Sequence, residues 1–122
     1  MFDLIGDGWC RPEGCNHDDR ACRVNGYVKD EVDSSDCRIA CFNETSCTGF
    51  ATSSSAHSSD PNRCYVHGDI SSNVKFSEWR TFQKQYFLPT NSSGASNVEC
   101  WKRKGIQNIS IFCNTIILFF LL

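Results

Sequence analysis

The spacing of cysteines constrains this chain more than any other feature. Nine occur in 122 residues, and eight of them lie between Cys10 and Cys100. Cysteine makes up about 9 per cent of that 91-residue window, a density typical of a disulfide scaffold. A cytosolic chain keeps its thiols reduced, whereas an oxidising compartment lets a small domain compensate for a thin core with crosslinks. The length suits one domain and is short for two. Net charge is −2 and the isoelectric point is about 5.8, so no basic field argues for a nucleic-acid partner. Three N-x-[ST] triplets, beginning at Asn43, Asn91 and Asn108, are glycosylation candidates in keeping with an extracellular setting. The opening Met1–Gly8 has neither a basic region nor an apolar run, so a trimmed leader or a fragment of a longer secreted or membrane-attached protein is expected, the third option being a cytosolic protein that uses its cysteines for metal.

The stretch Asp36–Ala51, DCRIACFNETSCTGFA, sets Cys37, Cys41 and Cys47 in the pattern C-x3-C-x5-C. A helix is expected to start at Asp33, whose carboxylate can accept first-turn N–H groups. Asp36 adds negative charge at the positive helix end, and Val32 can pack on Cys37. The helix should end near Asn43. It is too short to persist on its own propensity, so something must tie it down. Cys37 and Cys41, four apart, share one face with Ala40 beside them.

Around this helix the sequence reads as short strands and loops. Residues 1–8 look like a lead-in segment, and Trp9–Arg23 is a polar, punctuated loop. Asn25-Gly26 signals a turn before Tyr27-Val28. Strands are expected over Cys47–Thr52, Arg63–Gly68, Trp79–Tyr86 and Val98–Lys102. Ser53–Asn62 and Asn91–Asn97 read as polar loops. One helix among four or five strands predicts an α+β domain, the helix lying across an antiparallel sheet.

The tail over residues 105–122 is apolar from Ile109 onward, but shorter than the ~20 residues a spanning helix needs. It fits an anchor signal, a truncated membrane segment, or sequence foreign to the native protein, and it is the candidate for membrane attachment. Cys113 falls in it and is expected to be unpaired.

These residues resemble the PAN/apple family. The resemblance rests on the helical C-x3-C, on Cys47 entering a strand in SCTGFA, and on Cys64 in NRCYVHG. Gly26-Tyr27 before the helix and the closing Cys100-Trp101-Lys102 complete it. It spans roughly residues 8 to 104, giving a domain over 9–104. The family pattern implies bridges Cys37–Cys64 and Cys41–Cys47, and the apple version implies Cys10–Cys100 between the ends. Cys15 and Cys22 then remain and are paired with each other; Cys10–Cys22 with Cys15–Cys100 is the competing assignment. Sequence alone leaves 105 pairings open for eight cysteines.

The resemblance implies a non-catalytic extracellular module that binds a protein partner or, alternatively, a carbohydrate. No cofactor is expected. Zinc would need ligands from Cys15, His17 and Cys22, or from Cys64 and His67, but no C-x2-C pair accompanies them. No G-x-S-x-G motif or nucleophile–base pair supports a hydrolase. Among the aromatics Trp9, Tyr65, Trp79 and Trp101, Trp79 is expected in the core and Trp9 at the surface. Trp9, Tyr65 and Arg103 are the candidate ligand-binding residues, Arg103 because the run Lys102-Arg103-Lys104 could meet an anionic glycan.

Overall fold

The structure, a computed structural model, describes residues 1–15, 20–70 and 74–105. Its strands are β1 (Phe2–Asp7), β2 (Cys10–Arg11), β3 (Gly26–Lys29), β4 (Cys47–Ser53), β5 (Cys64–Gly68), β6 (Arg80–Phe82), β7 (Asn91–Ser92) and β8 (Val98–Arg103). The helix α1 spans Ser34–Phe42. Six strands form one sheet in the order β1-β8-β4-β5-β3-β6, with every neighbouring pair antiparallel. β2 and β7 form a separate two-stranded ribbon. One short helix on an antiparallel sheet is the expected α+β arrangement.

The helix begins as its sequence dictates. Asp33 is extended, and its carboxylate accepts the Asp36 N–H at 2.8 Å. The face carrying Cys37 and Cys41, both fully buried, lies over β4 and β5. Two bridges hold it there: Cys37–Cys64 reaches β5, and Cys41–Cys47 joins the helix end to the start of β4. The other two bridges are Cys10–Cys100, which with the helix pair makes the three the resemblance implies, and Cys15–Cys22, the pair left over, in place of the competing Cys10–Cys22 with Cys15–Cys100.

Cross-strand partners share a sheet face, which gives the sheet two distinct sides. Toward the helix, Phe50, Val66, Tyr27 and Phe2 pack with Cys37, Cys41, Cys47 and Cys64. The guanidinium of Arg38 spans the rings of Phe2, Phe50 and Trp101 at 4.6–5.5 Å. On the opposite side, Ala51 packs with Cys10 and Cys100, joined by Trp9 and Tyr65. Seven of the seventeen buried hydrophobic residues among those described are cysteines. Sulfur therefore supplies much of the core volume that larger apolar side chains provide in bigger domains.

Three expectations need correction. Residues 1–8 are not a lead-in segment: Phe2–Asp7 forms the edge strand beside β8, with Phe2 buried edge-on to Phe50 at 5.0 Å. Asn91 and Ser92, placed in a polar loop, pair with Arg11 and Cys10. The strand expected over Trp79–Tyr86 narrows to Arg80–Phe82.

Candidate functional site

The face away from the helix carries a concavity of about 100 Å³. Strand alternation explains its floor. Cys64 and Val66 of β5 are committed to the helix side, so Tyr65 and His67 point the other way. Phe82 of β6 lies in register with Gly26, which is itself opposite His67, and adds a third ring. The rings touch in series: Tyr65 meets His67 stacked at 5.8 Å and Phe82 edge-on at 5.9 Å.

The Cys10–Cys100 bridge draws the Trp9–Arg11 segment across this face, with the two Cα atoms 5.1 Å apart. Backbone bonds then fix Trp9: its N–H donates to Ser93 Oγ and its carbonyl accepts from the Ser93 N–H, both at 2.9 Å. Gly8 makes the preceding turn at φ +107°, and a side chain there would collide with the Gly94 backbone. The Trp9 ring consequently stands against Tyr65 at 5.2 Å and against His57 at 5.6 Å. Trp9 is half-buried in the wall, not fully at the surface as expected. Trp79 is half-buried against the helix-side core.

The remaining lining is charged. Arg11, Arg23 and Arg63 contribute three cations and Asp60 one anion. Arg63 is committed: its Nε donates to Asp30 Oδ1 at 2.6 Å and its Nη1 lies 3.2 Å from Asp60 Oδ1. Hydrogen bonding from Arg63 holds the Asp30 carboxyl below its usual pKa, and Arg80, 3.1 Å away, acts in the same direction. Arg11 is only 4 % exposed and donates to the Cys10 carbonyl at 2.8 Å. Arg23 is half-buried, with no hydrogen bond or ion pair among the described residues.

His67 does not add to this charge. Burial pushes its pKa down to about 4, and nearby Arg11 pushes the same way. Hydrogen bonding to the backbone of Asn25, whose carbonyl is 3.2 Å from Nδ1, opposes the shift without cancelling it. At pH 7 the imidazole is thus neutral, among aromatic walls that keep the local dielectric low. The loop that brings in Asp60 is ordered by Ser53, whose hydroxyl donates to the Asp60 carbonyl, and by the Asp60 N–H donating to His57 Nδ1 at 2.9 Å.

Two of the three sequence candidates, Trp9 and Tyr65, meet in this cavity. Arg103 does not. It lies on the helix side, where its guanidinium donates to the carbonyls of Phe42, Glu44 and Cys47 at 2.7–3.0 Å and of Cys41 at 3.3 Å. Its reassignment has a simple cause: the last carbonyls of a helix lack internal partners and attract a cation. Arg11, Arg23, Arg63, His67 and Phe82 were not predicted for the site. A signal existed for two of them, since Arg63, Tyr65 and His67 alternate along NRCYVHG.

Of the glycosylation candidates, Asn43 is exposed at the helix end. Asn91 is half-buried, with its Nδ2 donating to the Pro12 carbonyl at 3.4 Å. Asn108 lies outside the described residues, as do Cys113, His17 and all of the tail beyond Gly105. Cys64 of the C-x2-H pair is taken by Cys37, and Cys15 and Cys22 by each other. Among the described residues no group of three or more His, Cys, Asp or Glu could hold a metal. None of the described helices is long and apolar enough to cross a membrane. Comparisons of the chain with protein-family models, with curated proteins and with solved structures found no match.

Proposed function

We propose that this chain is a non-catalytic extracellular binding module of PAN/apple type, holding one projecting group of its ligand in the cavity beside Trp9. Four disulfides support the extracellular placement, since such crosslinks are typical of proteins in oxidising compartments. The C-x3-C helix stapled to two strands supports the PAN/apple reading.

The observation that carries the reading is the cavity itself: four aromatic rings, those of Trp9, Tyr65, His67 and Phe82, and three arginines line one concave spot. Its volume equals about three waters at roughly 30 Å³ each, well under the ~300–1,000 Å³ of a whole-ligand pocket. It suits one terminal group of a larger molecule. Aromatic rings beside polar hydrogen-bonding groups favour a carbohydrate ligand over a flat protein surface. A protein partner is the second reading, and a separate observation favours it: Ile39 and Phe42 are about half exposed, three apart on α1.

A glycan array probed with folded, disulfide-intact protein separates the two. The carbohydrate reading predicts saturable binding that Trp9→Ala removes while the chain, somewhat destabilised by the lost ring contacts, still melts cooperatively. Silence across the array, or binding indifferent to Trp9→Ala, would reject it and leave the helix side as the interaction surface.

A further inference from the structure

We infer that the group held in the cavity is the carboxylate of an acidic sugar, anchored by the guanidinium of Arg23. This rests on the carbohydrate reading of the cavity and adds the ligand's charge and chemical class. The lining holds three arginines against the single carboxylate of Asp60. Arg63 spends its donors on Asp30 and Asp60, and Arg11 is buried with one donor on its neighbour's carbonyl. Both supply field. Arg23 alone of the three has no hydrogen-bond or ion-pair partner among the described residues, while being drawn half into the surface.

A planar guanidinium with its fork available matches a planar carboxylate through two parallel charge-assisted bonds. The cavity is large enough for that group and its attached carbon, while the sugar ring would rest against Trp9 and Tyr65 at the wall. A polysulfated chain fits less well. It would want a broad basic surface, whereas the protein carries net charge −2 and Arg103 lies on the opposite side of the sheet.

The test compares four probes by proton–nitrogen NMR titration on the disulfide-intact chain: methyl glucuronide, methyl N-acetylneuraminide, methyl glucoside and glucose 6-sulfate. At least one of the two carboxylated sugars should shift amides of the Trp9 and Tyr65 segments and bind about tenfold more tightly than the neutral glucoside. Arg23→Gln should erase that preference while leaving the melting temperature unchanged, and Trp9→Ala should weaken every sugar that binds. Equal binding of acidic and neutral sugars, an unaltered preference in Arg23→Gln, or tighter binding of the sulfate would overturn the inference while leaving the cavity reading intact. No shift with any probe at millimolar concentration would overturn both.

Discussion

His67 joins the site to the stability of the fold. Its ring is 3 % exposed, and its pKa falls from 6.5 to about 4 because burial penalises the imidazolium. Between those two values the unfolded chain takes up a proton that the folded chain refuses. Stability must therefore fall as pH falls through that window, by roughly 3 kcal/mol by its lower end. Asp30 acts lower: its carboxyl is held below 3.8, so its contribution is intact above that pH and is lost as pH drops through the depressed value. Urea unfolding at pH 7.5, 6 and 5 isolates the histidine. The expected result is a midpoint that declines with acid in the native chain and much less in His67→Gln. A flat native profile would mean that the ring is hydrated or already charged. The sequence offered His67 only as half of a C-x2-H metal motif. That failed because Cys64 and His67 sit on opposite faces of one strand, a consequence of their odd spacing.

At the scale of elements, the helix was legible and the sheet edges were not. Asp33, Asp36 and the Cys37/Cys41 face carry their own local logic, and α1 begins where that logic puts it. β1 has none: Asp3, Gly6 and Asp7 are poor strand formers, and pairing with β8 decides its conformation. β7 is a polar Asn-Ser pair held by β2, whose Cys10 is tied to Cys100. Helix termination was equally hidden. The C-cap Asn43 is αR rather than left-handed, so no glycine-type motif closes α1. Arg103, remote in sequence, does so from β8 by donating to Cys41, Phe42, Glu44 and Cys47 carbonyls. Arg103→Met should therefore cost about 2–3 kcal/mol in urea unfolding, and Arg103→Lys should restore only part of it, because a point charge cannot serve so many acceptors. A loss below about 0.5 kcal/mol would return Arg103 to the exposed surface.

Across the whole molecule, crosslinks substitute for interior volume. Among the described residues the largest fully buried side chain is Phe50, and cysteines fill much of the remaining core. Cys10–Cys100 spans 90 residues and Cys37–Cys64 spans 27. On chain-entropy grounds such closures stabilise by roughly 4–5 and 3–4 kcal/mol, against a typical total of ~5–15 kcal/mol for a domain. The long bridge also shapes the site, because it lays Trp9 and Arg11 over the sheet face that the helix leaves open. The cysteine density announced this dependence; the cavity was hidden because it combines segments from Trp9 to Phe82 that only the fold brings together. The decisive measurement is circular dichroism of the chain fully reduced and blocked in denaturant, then returned to native buffer, with thermal melting alongside the oxidised form. The account predicts loss of the near-ultraviolet signal and of any cooperative transition. A reduced chain that regains both, at an unchanged melting temperature, would contradict it.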